Sequence, residues 1–183
     1  IVQKLKIPVS IILYKLFTLG NILIIGIPSL LIIRLISPFF LIRIAQLRNT
    51  KIGHYTVNVE LYLCEKNKKI NIPNIKFLDL FYLTPRQKDC NSQLTKMWKR
   101  KINILPWQVL RGIDVLNNFI PGGEKHKINN IKGYSWDTKN LLDTCKKNLH
   151  FTFEEEKKGR LFLKKIGIKK KDKFVCMIIR DEA

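Results

Sequence analysis

The sequence lacks the short motifs that mark several large enzyme classes. It has no GxxxxGK[ST] phosphate-binding loop and no GxSxG turn, which excludes P-loop NTPases and serine hydrolases built on that turn. Its 4 cysteines stand 26, 55 and 31 residues apart, so there is no CxxC pair and no Cys/His cluster for zinc. Four cysteines in 183 residues are also too few for a disulfide scaffold.

Acidic residues are scarce as well. The 14 Asp and Glu stand against 34 Lys and Arg, which gives a net charge of +20. The composition is skewed toward residues whose codons are rich in A and T, as is typical of AT-rich genomes: there are 27 Ile, 26 Lys and 14 Asn but only 2 Ala. Nucleic-acid sites favour Arg, whereas here Lys outnumbers the 8 Arg and is spread along the chain. We therefore expect no nucleic-acid partner, and we interpret the charge as attraction to an anionic membrane surface.

One long apolar run lies near the start of the sequence. The 18 residues from Leu16 to Ile33 carry no formal charge, and a bilayer core is spanned by about 20 such residues. Basic residues flank the run on both sides, so the positive-inside rule gives no orientation. Gly26 and Pro28 interrupt the run, which leaves a re-entrant helix pair and a single bent span both open. Residues 1–41 are therefore predicted to be an apolar, membrane-associating helical segment.

Short strands and helices alternate after the apolar run. Predicted strands cover 42–47, 76–83, 102–105 and 173–180, and predicted helices cover 55–64, 89–101, 107–119 and 152–166. Residues 124–149 are polar and predicted to be irregular. Thr152 and Glu155 have the spacing of a capping box at the start of the last helix, and Gly167 follows its end. This alternation predicts an α/β domain with a mainly parallel sheet.

The loop between the first predicted strand and the first predicted helix holds the main site candidates. Arg48, Lys51, Gly53 and His54 lie in this loop. In open α/β sheets, ligands bind where the carboxyl ends of strands meet helix N-termini. Gly53 would let the backbone approach a ligand, and His54 could act as a base or hold a hydroxyl group. A tight turn with a solvated histidine is the alternative.

Two further features have both a structural and a functional interpretation. Gly122 and Gly123 follow a predicted helix, where they either face a ligand or simply end the helix. Arg180 ends the last predicted strand, where it either holds a phosphate bidentately or is an edge charge.

Six segments of the sequence carry a family resemblance. They are KIGHYTVNVELYLCE (51–65), LDLFYL (78–83), CNSQLTKMWKR (90–100), ILPW (104–107), LHFTFEEEKKGR (149–160) and FVCMIIRDEA (174–183). In this order they resemble an uncharacterised family of bacterial glycosyltransferases found with surface-polysaccharide genes. The resemblance implies a GT-B architecture, in which two Rossmann-like domains, each a parallel sheet with helices on both faces, meet at a cleft. It implies that 42–150 is the acceptor-side domain, that 151–183 begins the donor-side domain, and that the chain is an incomplete enzyme, inactive alone.

The resemblance also implies an activity. A sugar would pass from a nucleotide-sugar donor to a surface polysaccharide or lipid-linked acceptor, on the cytoplasmic side of the bacterial inner membrane. GT-B enzymes generally assist the departing diphosphate with Arg, Lys and helix ends, so neither a metal nor another cofactor is expected.

Three sets of residues receive roles from this resemblance and from the chemistry of the transfer. Arg180 matches the position that holds the donor diphosphate in fucosyltransferase-like members, although here Ile179 stands where related enzymes often have Val, and the His before that Val is missing. His54 is expected to activate or orient the acceptor, and Arg48 and Lys51 to hold a lipid phosphate. A non-enzymatic, membrane-anchored basic module that binds anionic lipid or polymer is the alternative.

Overall fold

The computed structural model describes residues 16, 19–20, 22–128, 137–169 and 171–175. The chain divides into two units, Ile1–Leu149 and His150–Ala183. The first unit contains a parallel sheet with packed helices, so the predicted α/β class is confirmed.

The first continuous described stretch of the first unit begins with a π-helical turn at Ile22–Gly26. It continues with α1 (Ile27–Ile36), β1 (Phe40–Leu47), α2 (Ile52–Asn67), β2 (Lys76–Leu83), α3 (Ser92–Lys99), β3 (Asn103–Ile104), α4 (Trp107–Asn117), a 3-10 turn (Gly123–His126) and α5 (Leu141–Thr144). Each strand and helix predicted between residues 42 and 119 is present, with end points displaced by a few residues or none.

The sheet is parallel, with strand order β1-β2-β3. β1 and β2 pair along their whole length, from Phe40 opposite Lys76 to Leu47 opposite Leu83. β3 adds a short pairing to β2. The apolar runs of β1 and β2 suit a parallel sheet, because such strands are covered on both faces.

Helices cover both faces of this sheet. Successive side chains of a strand point to opposite faces. Ile44 and Tyr82 therefore pack in a core with α1 and α4, while Ala45 and Phe81 pack in a second core with α2 and α3. Trp98, the largest fully buried side chain among the described residues, lies in the second core.

The chain reverses its direction across the sheet after β3. α2 and α3 lie on one face as the chain moves outward from β1 to β3, and α4 then lies on the other face. Lys127 next forms a parallel bridge with Ile44 of β1. Because β2 occupies one edge of β1, this bridge lies at the other edge. The segment that was predicted to be irregular thus returns the chain beside β1, in the manner of a doubly wound sheet.

The apolar run is helical in its described residues. These residues are Leu16, Leu19 and Gly20, the π-helical turn and the first part of α1, with Pro28 in the first turn of α1. Gly26 lies close to Gly112 of α4, where a Cβ on Gly26 would come within 3.4 Å of the Gly112 backbone. The expectation of a membrane-spanning helix is not met in the described part of the chain, where every helix is too short or too polar to cross a bilayer.

The second unit contains α6 (Phe153–Lys165). The predicted capping box is present: the Thr152 hydroxyl accepts from the Glu155 N–H, and the Glu155 carboxylate accepts from the Thr152 N–H. Gly167 ends the helix with a φ of 91°, as the stop signal predicts. Of the predicted strand 173–180, the first three residues are irregular, and 176–180 lie outside the described residues.

Candidate functional site

The loop that the sequence predicts as a ligand site lies at the carboxyl edge of the sheet, between β1 and α2. β1 ends at Leu47 and α2 begins at Ile52, so Arg48, Lys51, Gly53 and His54 all lie at this edge or in the first helical turn. Gly53 and His54 lie inside α2 and not in the preceding loop as predicted, because the helix begins three residues earlier than expected. The loop also lies beside the place where the chain returns along the other edge of β1, which in doubly wound sheets is where ligands bind.

The start of α2 presents backbone donors to this loop. Its N-cap residue, Lys51, has an extended backbone (φ −120°, ψ 115°), and no side chain within the described residues caps the helix. The N–H groups of the first helical turn have no intrahelical acceptor, and they form the positive end of the helix dipole. Lys51 and Gly53 are exposed and His54 is half-buried, so an anion could approach both the helix end and these side chains.

A buried polar network holds this loop to the next one. The fully buried Asn49 donates from Nδ2 to Asp89 Oδ1 at 2.5 Å and accepts from the Thr84 N–H at 2.7 Å. Asp89 Oδ2 accepts from the Thr95 hydroxyl at 2.7 Å. The network therefore joins the β1–α2 loop to the β2–α3 loop and to α3.

Tyr55 of α2 completes the network. Its hydroxyl donates to Thr95 Oγ1 at 3.0 Å, and its carbonyl accepts from Trp98 Nε1 at 3.1 Å. Burial raises the pKa of Tyr55 to about 12, an effect to which the charge of Asp89 adds. The Tyr55 hydroxyl therefore keeps its proton near neutral pH and acts as a fixed donor. Nothing in the sequence pattern indicates this network beyond the polar residues that follow two strands.

The two joined loops give this edge a positive character. Arg48 and Lys51 lie in the β1–α2 loop, and Arg86 and Lys88 lie in the β2–α3 loop. Asp89 is the only acidic residue of the segments 48–54 and 84–91, and its carboxylate is already engaged by Asn49. The edge is therefore suited to a phosphate or another small anion.

The two glycines at 122 and 123 lie elsewhere, near the amino end of β1. They follow α4, and His126 just beyond them contacts the Ile42 carbonyl oxygen with Nδ1 at 2.7 Å. Gly122 has a φ of 76°, and a Cβ on Gly123 would lie 1.9 Å from the Asn117 carbonyl oxygen. The structure thus gives these glycines a role in a tight turn and does not bring them to the β1–α2 loop.

Arg34 of α1 is held by this glycine turn. Its guanidinium donates from Nη2 to Asn117 Oδ1 at 2.7 Å and from Nη1 to the Pro121 carbonyl at 3.1 Å. Asn117 in turn donates to the Gly123 carbonyl at 2.9 Å. The turn therefore connects α1 to the end of α4.

A second charged cluster lies on the α2 face of the sheet. Arg43 and Asp79 form a buried ion pair, and the Tyr62 hydroxyl and the Lys66 ammonium also approach the Asp79 carboxylate. Arg43, Tyr62 and Lys66 line a cavity of about 350 Å³. All polar atoms of the Arg43 guanidinium have acceptors, so the cluster fixes the pairing of β1 with β2 and is not the stronger site candidate.

Two further predictions concern the ligand of the donor diphosphate and the binding of a metal ion. Arg180 lies outside the described residues. Among the residues that the structure describes, no group of three or more His, Cys, Asp or Glu side chains is arranged to hold a metal ion.

The comparisons with known proteins assign no family. No family model, no curated protein and no solved structure matches this chain.

Proposed function

We propose that this chain is the acceptor-side domain and the beginning of the donor-side domain of a GT-B-like glycosyltransferase, in which the β1–α2 loop binds the phosphate of a lipid-linked acceptor. The observation that carries the proposal is the position of Arg48, Lys51 and His54 at the carboxyl end of β1, beside the edge to which the chain returns. Doubly wound α/β sheets bind ligands at such positions. The parallel sheet with helices on both faces is also the architecture that a Rossmann-like domain requires.

Each side chain receives a role in the transfer. Arg48 and Lys51 neutralise the acceptor phosphate, together with the N-terminal N–H groups of α2. His54 accepts the proton of the acceptor hydroxyl or orients that hydroxyl. Arg180 stabilises the diphosphate that leaves the nucleotide sugar. In this proposal the enzyme works without a metal ion at the cytoplasmic face of the bacterial inner membrane.

A binding experiment tests the phosphate site directly. The affinity of the chain for farnesyl phosphate and for farnesol is measured by isothermal titration calorimetry. We expect the phosphate to be required and Lys51→Ala to weaken binding about tenfold, since a charged hydrogen bond is lost. Lys99→Ala removes another exposed lysine, at the far end of α3, and should leave the affinity unchanged.

The alternative function gives a different pattern in the same experiment. A membrane-anchored basic module that binds anionic lipid or polymer would respond to total charge, as the net charge of +20 would allow. Lys51→Ala and Lys99→Ala would then weaken binding equally. Equal affinity for farnesyl phosphate and farnesol would exclude a phosphate site at this loop.

A transfer assay tests the chemistry. The complete gene product is supplied with labelled nucleotide sugars and a bacterial lipid extract. His54→Ala and Arg180→Ala should each lower transfer about 100-fold, because a base or a cation is lost from the transition state. His150→Ala, an exposed histidine of the second unit, is the matched control and should keep the wild-type rate.

A further inference from the structure

α1 has two sides with different surroundings. Leu30 and Ile33 are buried against β1, β2 and α4. Gly26 and Gly112 allow the chain just before α1 to approach α4 closely. One side of α1 is therefore occupied by the protein itself, and the helix is a fixed part of the first unit.

The opposite side of α1 is apolar and exposed. Ile27, Leu31 and Leu35 follow each other at four-residue spacing, which places them on one helical face. Leu31 is 65% exposed and Leu35 is 78% exposed. We define the α1 outer face as these residues together with the neighbouring exposed side chains of Ile24, Ile32 and Phe39. Soluble surfaces rarely carry so many adjacent large apolar side chains, which indicates an interaction surface.

The charge of the surrounding sequence indicates which partner fits. Residues 1–59 contain no Asp or Glu and carry 7 Lys and Arg, of which Arg43 is buried against Asp79 and Arg48 and Lys51 lie at the carboxyl end of β1. The others precede the apolar residues of the outer face in the sequence or lie among them: Lys4, Lys6, Lys15 and Arg34. A basic segment of this kind complements an anionic lipid surface, where basic residues add about 1 kcal/mol each. A protein partner with an apolar groove would not require this absence of acidic residues.

Aromatic side chains lie where a lipid interface would hold them. Phe39, in the turn after α1, is 82% exposed, and Phe119, beyond the end of α4, is 80% exposed. Arg34 brings the residues after Phe119 to the end of α1 through its bond to the Pro121 carbonyl. Phe39 and the residues that follow Phe119 are therefore at the same end of α1. Aromatic residues are favoured at the boundary between headgroups and acyl chains.

We propose that the α1 outer face inserts on one side into the surface of an anionic phospholipid bilayer, while the inner side of α1 stays packed on the sheet. The proposal rests on the membrane part of the proposed function and identifies the surface that makes the contact. It does not depend on the chemistry at the β1–α2 loop.

Vesicle co-sedimentation of the full chain tests the docking surface. Vesicles of phosphatidylglycerol and phosphatidylethanolamine (1:3) are compared with vesicles of phosphatidylcholine. We expect binding to the anionic vesicles and a loss of about tenfold or more in Leu35→Lys, because a charge replaces an inserted apolar side chain. Val57→Lys makes the same change at a less exposed position of α2, away from the outer face, and should bind like the wild type.

The lysine substitution separates insertion from charge attraction. If only charge attracted the chain, Leu35→Lys would bind more tightly than the wild type, and that outcome would overturn the proposal. Unchanged binding in the double variant Leu31→Lys/Leu35→Lys would overturn it as well. So would a wild-type dimer, seen without vesicles by analytical ultracentrifugation and lost in these variants, because a second copy would then cover the face.

The farnesyl phosphate titration separates this proposal from the proposed function. Leu35→Lys should keep the wild-type affinity for farnesyl phosphate, since Leu35 is remote from the carboxyl ends of the strands. If Leu35→Lys loses vesicle binding and keeps its affinity for farnesyl phosphate, the substitution affects membrane docking alone. A substitution that weakens farnesyl phosphate binding and leaves vesicle binding intact affects the β1–α2 loop alone.

Discussion

Arg43 and Asp79 lie opposite each other on adjacent parallel strands, and their side chains form a bidentate ion pair. Arg43 Nε lies 2.7 Å from Asp79 Oδ1, and Arg43 Nη2 lies 2.9 Å from Asp79 Oδ2. Both residues are more than nine-tenths buried. A shift of β1 against β2 by one residue would separate the two charges, so the pair favours the observed register.

Loss of one partner of this ion pair should therefore lower the free energy of unfolding. Asp79→Leu leaves the Arg43 guanidinium buried without its carboxylate, and we expect the free energy of unfolding to fall by about 3–5 kcal/mol. Urea denaturation followed by circular dichroism measures the change. Arg43→Met/Asp79→Leu removes both charges and should recover much of the loss. A double variant no more stable than Asp79→Leu alone would show that the charge is not the cause.

The loop network around Asn49 should be a second sensitive point. Asn49→Ala leaves Asp89 Oδ1 and the Thr84 N–H without their partner, and we expect a loss of about 1–3 kcal/mol. Asn74→Ala removes an exposed amide from the α2–β2 loop and should change stability by less than about 0.5 kcal/mol. Thermal unfolding of both variants provides the comparison, and equal melting temperatures would show that the network contributes little.

Two glycines should respond to alanine in opposite directions. In Gly123→Ala the new methyl group meets the Asn117 carbonyl oxygen, so we expect a loss of about 1–3 kcal/mol. In Gly53→Ala the methyl group meets no atom within 4 Å in a helical position, and a gain of about 0.5–1 kcal/mol is expected. Differential scanning calorimetry measures both changes. A neutral Gly123→Ala would contradict the close contact with Asn117.

Stability should fall in mild acid because of His126. Burial lowers the pKa of His126 from its ordinary value of 6.5, and the nearby Arg34 and Lys125 act in the same direction. The bond to the Ile42 carbonyl and the charge of Glu124 oppose this shift. A histidine with a lowered pKa contributes stability above pH 6.5, and this contribution is lost as the pH falls through 6.5 and below.

A substitution isolates this effect from other acid-sensitive groups. Melting temperatures of the wild type and His126→Gln are compared from pH 8 to pH 5. The difference between the two proteins should shrink as the pH falls, because only the wild type takes up a proton at this position on unfolding. A constant difference across the range would exclude His126 as the source.

The local elements were predictable because their signals are local. β2 has the predicted bounds 76–83, since an apolar run with turn residues on both sides specifies a buried strand. The Thr152 capping box needs only a three-residue spacing. α2 begins at Ile52, earlier than the predicted 55, because no capping side chain marks its start. The basic loop at the β1 carboxyl end followed from this strand–helix order.

The partners across long sequence distances were not predictable from one sequence. Asn49 and Asp89 are 40 residues apart, and nothing in either segment indicates the other. Lys127 lies in a segment that was predicted to be irregular, yet its bridge to Ile44 shows where the chain returns. Gly122 and Gly123 resemble a ligand-facing loop in sequence, and only the structure shows Arg34 and Asn117 beside them.

The packing of α1 on α4 has a consequence for biosynthesis. The inner side of α1 is covered in part by Leu110 and Ile113, which leave the ribosome long after α1 itself. The 81 residues between the end of α1 and the end of α4 require about 4–16 s of synthesis at ordinary elongation rates. During that time the nascent chain carries a helix whose two sides are both apolar. A chaperone or a membrane that shields this helix would therefore act before the sheet is complete.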